Sequence, residues 1–520
     1  MDRFQVLFRI LSGKITSACG TGAPDPAPRS GGMGCDSEGP GFRPIPKKLS
    51  SVECEAGEAL NYPRDPDAVL RRVKSRSGEE ALAVCISGLT DEARLDEFVL
   101  QPILRSGLPL TPVAVMQGVI EVGEVRRETD FNAALDAVRR GSAALFFQGA
   151  DSCLILGLHG FERRQVGEAK NEQTVLGPKE CFTECIKTDV ALIRRHIASA
   201  ELVVEQAPLS NISGTRAVLV YHFTAVKPAV VEKLREKLKE MPPAVYLTGG
   251  TAEQMLFGNS LSPMPRVLLT ERPDRAASHI LSGRIVLLID GSPEAVILPI
   301  TLFSLMNSPE DVYMNRAVGS LLRVIRYLGA LLSVLMPGYF LSLALYHQGI
   351  LSTEVLSTVV ASRRMVFEPI GAELILLLII FQLIREAGQR VPGSIGQAIG
   401  IIGGLIMGQA AVSAHLASSV VLIIVAASGL GNFCIPDYRT QLAASYIRLA
   451  FVVSAWLGGL LGMTSALIVM LARLASIESF GMPYLAPLSP KRRAARPALF
   501  RGPITGGAIG RASGKSEDVM

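Results

Sequence analysis

The sequence predicts an α/β soluble N-terminal region of two related subdomains, followed by an α-helical multi-span membrane domain. Two observations carry this. From Gly319 to Ser476 only five side chains are acidic, Glu354, Glu368, Glu373, Glu386 and Asp437, and long apolar blocks joined by short loops run between them. Before Gly319 the chain is charged and alternates short apolar runs with amphipathic stretches, and two of its segments share one spacing of glycines. At 520 residues the chain is long enough for two or three domains. The expected organisation is a leader or linker over 1–77, largely disordered, then subdomain 1 over 78–160 and subdomain 2 over 161–310. A transmembrane helical domain over 311–476 and a cytoplasmic basic tail over 477–520 complete it.

In the leader, Met1 to Ile15 places Phe4, Leu7, Phe8 and Leu11 around Arg3 and Arg9. This reads as a short amphipathic helix rather than a signal peptide, with a membrane-surface anchor as the alternative. Gly20 to Pro46 is rich in Gly, Pro and Ser, the composition of a disordered or linking segment.

The soluble half repeats itself. Residues 81–89 (ALAVCISGL) are strand-like, and Asp91 to Leu104 reads as a helix with Leu95, Phe98, Val99 and Ile103 on one side. In the second unit, residues 216–223 (RAVLVYHF) are strand-like and Pro228 to Leu238 is helical. Later in each unit the match is closer. Residues 136–158 (DAVRRGSAALFFQGADSCLILGL) and 278–300 (SHILSGRIVLLIDGSPEAVILPI) both give a helix end, a glycine, an apolar strand, a second glycine and another apolar strand. Gly141 and Gly283 suit left-handed helix C-caps, and Gly149 and Gly291 suit tight hairpin turns. The charged stretch from Phe161 to Lys170 reads as a solvated linker between the units.

Several functions are disfavoured by composition. The net charge of +5 comes largely from two basic clusters near the ends, and only 6% of the chain is aromatic, so no basic-aromatic patch points to nucleic acid. The eight cysteines form no C-x-x-C and read as free thiols in a reducing compartment, with Cys181 and Cys185 a helical turn apart. No H-E-x-x-H, phosphate loop, G-x-S-x-G or paired-carboxylate pattern occurs, so no metal, cofactor or catalytic role is expected and the chain is read as no enzyme.

Five apolar segments can be drawn in the second half, roughly Tyr327–Tyr346, Ile370–Ile384, Ile395–Ala414, Leu416–Ile435 and Leu449–Leu471. Arg323 and Arg326 before the first, and Lys491 to Arg496 after the last, place both ends on the cytoplasmic side. Five full spans cannot satisfy that. One segment is therefore re-entrant or interfacial, or holds an extra break, with Gly458 and Gly459 or the glycines of the third segment as its places. Pro337 is expected to kink the first segment. Glu373, at the start of the second, is either interfacial or an intramembrane partner for Arg326, Arg363 or an ion.

In the third segment Gly396, Gly400, Gly404 and Gly408 recur every four residues and would make one smooth helical stripe. Gln397 and Gln409 are its strongly polar side chains and should face protein or water. Two readings stand at this point: ordinary helix packing within one chain, or a helix packed around an oligomer axis. In the second, Gln397, Ile401, Leu405 and Gln409 form an adjacent stripe and are the pore-lining candidates.

Several runs resemble one known family. GPKECFTECIKTDVALIRRHI (177–197) is similar to a signature of the GerA family of spore germination proteins. So are TERPDRAASHILSGRIVLLIDGSPEAVILP (270–299), SPEDVY (308–313), VGSLLRVIR (318–326), REAGQRVPGSIGQAIGIIGGLIMGQAAV (385–412) and FGMPYLAPLSP (480–490). Together they cover roughly residues 165–490. The sequence departs from the family pattern at Leu176, where Arg is usual, at Asp189, where Asn is usual, and at His196, where Arg is usual.

The resemblance implies a membrane subunit of a nutrient germinant receptor, with its N-terminal domain cytoplasmic, in the inner membrane of the endospore. It implies a transporter-like B subunit and a lipoprotein C subunit as partners, and a homo-oligomeric ring that conducts monovalent cations across the lipid bilayer. It favours the pore reading of the glycine segment. A paralogous type, the stage V sporulation protein AF, shares these motifs and is the alternative. A secondary transporter would predict inverted repeats with paired broken helices, and no such symmetry is visible.

Overall fold

The computed structural model describes residues 42–160, 169, 172, 174–209, 214–241, 247–258, 262–390, 404 and 406–489. The residues before 42 and the linker over 161–168 lie outside the described residues.

The first unit begins earlier than the sequence suggests. Helix α1 (Leu49–Ala59) precedes strands β1 (Ala68–Lys74) and β2 (Glu80–Ile86). A helical stretch over 92–105 follows, then β3 (Val125–Glu128), helix α2 (Phe131–Arg139), β4 (Ala143–Phe147) and β5 (Cys153–Leu156). The sheet order is β1-β2-β4-β5-β3, with every pairing antiparallel. The expected leader over 1–77 therefore contributes a helix and a strand to the first sheet. Both were hidden for a physical reason. Arg71, Arg72 and Lys74 are exposed on an edge strand, the arginines on opposite faces, and α1 buries only Leu49, Val52, Ala56 and Gly57.

The second unit repeats this plan. Helix α3 (Ile186–His196) precedes β6 (Leu202–Gln206) and β7 (Ala217–His222), then α4 (Pro228–Lys239) and β8 (Leu268–Thr270). Helix α5 (Pro273–Leu281), β9 (Ile285–Ile289) and β10 (Ala295–Leu298) complete it. Its sheet order is β6-β7-β9-β10-β8. The glycines fall where expected. Gly141 and Gly283 follow α2 and α5 at φ 101° and 81°, and Gly149 and Gly291 turn the β4–β5 and β9–β10 hairpins at φ 80° and 82°. One further equivalence links the units. The amide of Gly149 donates to Lys47 O and that of Gly291 to Glu184 O, at 2.7 and 2.8 Å. The residue before each glycine caps the opening helix, Gln148 Oε1 accepting from Leu49 N and Asp290 Oδ1 from Ile186 N. The two units share topology down to this contact.

Each sheet is covered on both faces, which is why β4 and β9 are apolar throughout and fully buried. In the first unit Leu49, Phe131 and Leu135 pack on one face, and Leu95, Val99 and Ile103 on the other. In the second unit α4 covers one face. The other is shared by α3, α5 and residues from the far end of the chain, Ala443, Leu474, Ile477 and Tyr484.

The remainder is helical: α6 (Arg316–Tyr346), α7 (Ile370–Arg390), α8 (Ser419–Phe433) and α9 (Tyr438–Ser476), with a short helix Thr353–Ser362 between α6 and α7. Residues 406–413 are also helical. Pro337 lies inside α6, against α9 at the Gly338–Phe451 contact. Two helices, α6 and α9, are long and apolar enough to cross a membrane. Helix α9 is broken at Gly459 (φ 56°, ψ −140°), one of the glycines named from the sequence, beside Gly458 and those of the third segment, as places for a break. Gly462 comes against Ser454, and Ala443 and Leu474 both reach the core of the second unit, so the chain reverses there. Contacts set the direction of each pass. Helix α6 starts at the second unit and α7 returns, bringing Phe381 to Gly429 and Phe433. Helix α8 starts beside Glu373 and ends with Gly431 against Gly329 near the start of α6. The two halves of α9 run away from the second unit and back to it.

Candidate functional site

The α/β region and the helices are joined through one seat on the second unit. Asp311, in the short turn Glu310–Tyr313, is fully buried. Arg323 Nε donates to its Oδ2 at 3.0 Å, and Arg326 donates through Nη1 to Oδ2 and Nη2 to Oδ1 at 3.0 and 3.1 Å. Arg326 Nη1 also donates to Met306 O at 3.0 Å. The two arginines are three residues apart on α6, so they share one helical face. A buried carboxylate is tolerated because two guanidinium groups and their hydrogen bonds offset its lost hydration.

The helices end on the same unit. Arg439, in the first turn of α9, pairs with Glu253. After α9, strands β11 (Glu478–Ser479) and β12 (Met482–Pro483) form a small hairpin. Tyr484 then buries its whole side chain and donates from its hydroxyl to Pro265 O at 2.9 Å, while its carbonyl accepts from Leu302 N at 2.9 Å. Burial pushes the Tyr484 phenol far up from its ordinary value. The expected cytoplasmic tail from residue 477 is thus packed into the second unit as far as Tyr484. FGMPYLAP is apolar, and its ring and methyl groups complete a core rather than lie in solvent.

The two α/β units meet through α3. Arg194 on α3 is buried and reaches back to Asp65 Oδ2 at 2.5 Å and Asp67 Oδ2 at 3.9 Å. Desolvation pushes the Asp67 carboxyl up to about 6, with Arg194 pulling the other way. Asp189, two turns before the end of α3, accepts from Thr183 N at 2.7 Å and Thr183 Oγ1 at 3.0 Å. Burial pushes it up to about 7 against those hydrogen bonds. In the first unit Cys85 and Cys153 are buried thiols pushed up to about 12, chiefly by desolvation.

Of the residues expected from sequence, Glu373 is fully buried at the start of α7. Its Oε1 accepts from Ser418 N at 2.6 Å and Ser418 Oγ at 2.7 Å, and its Oε2 lies 3.4 Å from Arg363 Nε. Arg363 is therefore its partner, while Arg326 is engaged by Asp311. Gly396, Gln397, Gly400, Ile401 and Leu405 lie outside the described residues. Gly404 and Gln409 are exposed, and a Cβ built on Gly404 would meet nothing within 4 Å. Gly408 lies 3.5 Å, in the same sense, from Leu422 Cδ2. Among the described residues close helix-to-helix approaches lie elsewhere, at Gly329 and Gly338 on α6, Gly371 on α7 and Gly431 on α8, in no stripe.

Sequence reasoning missed a polar group inside the helices. Arg448 on α9 is buried and donates from Nη1 to Ser428 Oγ at 3.1 Å, and Ser428 Oγ donates to Ser333 O at 2.7 Å. Asn432 Nδ2 donates to Ser445 Oγ at 3.3 Å, and Arg385 on α7 is buried nearby. The signal was an arginine just ahead of the segment drawn from Leu449.

Comparison with known proteins identifies the family. Residues 58–508 match the family described as Bacillus/Clostridium GerA spore germination protein. The chain is 29% identical over 465 residues to spore germination protein KA of Bacillus subtilis, covering 88% of this chain and 84% of the relative. It is 30% identical over 453 residues to spore germination protein GerLA of Bacillus cereus, covering 85% and 92%. The crystal structure of the N-terminal domain of the A subunit of the Bacillus megaterium spore germinant receptor GerK3 aligns over 50% of this chain and 97% of that one, at 22% identity and TM-score 0.37. The chain therefore belongs to the GerA family of spore germination proteins.

Proposed function

We propose that this chain is the membrane subunit of a spore germinant receptor and oligomerises to form a nutrient-gated channel for monovalent cations. The observation that carries the reading is family membership over a chain whose helices present apolar surface outward. Leu457 is 79% and Leu461 81% exposed at the reversal of α9, and Leu321, Leu328, Leu331 and Ile468 are also exposed. A water-facing bundle would hide such side chains, whereas a bilayer takes them in. The helices then sit in the inner membrane of the endospore, with the α/β region on the cytoplasmic side. Glycine at an outward, open Gly404 suits contact with a second copy. The transporter-like B subunit and the lipoprotein C subunit complete the receptor.

The test is reconstitution into liposomes loaded with a potassium-sensitive dye, with and without the B and C subunits. Nutrient should evoke potassium flux from the complete receptor, and deletion of residues 391–413 should abolish it. A complete, correctly inserted receptor that binds nutrient and passes no cation would overturn the channel reading.

A further inference from the structure

The buried polar group between the helices is chemically unbalanced. Arg448 is 3% and Arg385 9% exposed, and no hydrogen bond reaches Arg448 Nε or Arg385 Nη2. Arg385 follows Phe381 by one turn of α7, and the Phe381 ring packs on Gly429, the neighbour of the Ser428 that Arg448 holds. The described carboxylates of the helical region do not stand between them. Glu373 is held by Ser418 and Arg363, and Asp437 caps α9 by accepting from Thr440 N and Oγ1. Glu386 attracts Arg385 but, one residue along α7, projects roughly 100° around the helix from it. The neighbouring residues 391–403 contain no Asp or Glu. Two like charges enclosed in an apolar bundle are costly, and water offers no opposite charge to offset them.

We propose that this centre binds a small monovalent anion between Arg385 and Arg448. The guanidinium groups come from α7 and α9. Ser333 Oγ, which is buried without a hydrogen-bond partner, adds a donor from α6. The close approaches of Gly431 to Gly329 and of Gly429 to Phe381 pack α6, α7 and α8 together beside Ser428, and an anion of one charge suffices to offset the unpaired excess. Such an anion ties α6, α7 and α9 together at one point. The inference does not rest on conduction, because the two arginines are buried among the chain's own helices.

The test uses the purified full-length chain in lipid nanodiscs. Its one tryptophan, Trp456 on α9, reports thermal unfolding of the helices by fluorescence. Exchanging sodium gluconate for chloride, bromide or nitrate should raise the midpoint by about 2 °C or more, as a ligand specific to the folded state does. Chloride-35 NMR should show line broadening that bromide competes away. Arg448→Gln and, independently, Arg385→Gln should remove both responses, so that one variant's failure to fold leaves the other to decide. The proposal is overturned if the wild-type midpoint and line width ignore the anion, or if broadening persists in both variants. It is equally overturned if only anionic lipid, and no free anion, stabilises the helices.

Discussion

Arg326 grips Asp311 through two parallel hydrogen bonds, at 3.0 and 3.1 Å, and the carboxylate they share with Arg323 is shut away from solvent. This pair fixes the start of α6 to the second α/β unit. Bidentate geometry sets orientation as well as distance, so the first helix leaves the unit at a defined angle.

Replacing Asp311 by Ala should therefore be severe. It leaves two guanidinium groups largely buried without their carboxylate, a change that typically costs about 3–5 kcal/mol. Thermal unfolding of the full-length variant should show the loss, and limited proteolysis should cut around residues 308–316. Wild-type stability in Asp311→Ala would mean the pair contributes nothing net.

Asp189 gives a pH-dependent expectation. Its carboxyl rises to about 7 in the folded chain, against an ordinary value of about 3.9 when unfolded. Over that interval the folded state keeps a proton that the unfolded state has lost. The contribution to stability is thus greatest below about pH 4, declines as pH rises, and is level above about pH 7. Asp189→Asn keeps the acceptor for Thr183 N and removes the titration. It should be more stable than wild type by about 4 kcal/mol at pH 8 and similar to it at pH 4. Parallel pH–stability curves for the two proteins would contradict this.

The glycine positions separate packing within the chain from packing between chains. Gly431→Leu should destabilise the monomer, since its Cβ would meet the Gly329 carbonyl and overpacking typically costs about 1–3 kcal/mol. Gly404→Leu has open space in the monomer and should leave the fold intact while preventing assembly. Leu405→Ser should assemble and leak ions without nutrient, because wetting an apolar constriction opens it. Light scattering and ion flux distinguish the three. A normal oligomer from Gly404→Leu together with a tight Leu405→Ser would place the pore elsewhere.

The start of α6 and the segment after α9 both dock on the second unit, so the α/β region and Ser489 should lie on one side of the bilayer. On a cysteine-free background, a thiol introduced at Ser489 should stay unreactive towards an impermeant reagent in intact cells and react after permeabilisation. Labelling from outside would overturn the topology.

Much of this was legible in the sequence. The glycine pairs at 141 and 149, and at 283 and 291, exposed the duplicated units because left-handed caps and tight turns demand glycine at fixed places. Gly459 could be named among several places for a break, with Gly458 and the glycines of the third segment, because five spans did not fit basic flanks at both ends. What was not legible depends on contacts distant in sequence. Helix α1 and β1 look like leader until Gln148 and Lys47 show where they dock. Arg385, Arg448 and Ser428 lie on three helices, and only the fold makes them neighbours. Asp311 carries no periodic signal, and its role appears once α6 brings two arginines over it.

The seat on the second unit has a mechanical consequence. Both the first and the last helix of the bundle are bolted to the same body, one through Asp311 and the other through Arg439 and Tyr484. A rotation of that body cannot be taken up by a single flexible connector. It must turn α6 and α9 in concert, as a yoke moves two shafts, and the hinge left to the chain is the reversal at Gly459.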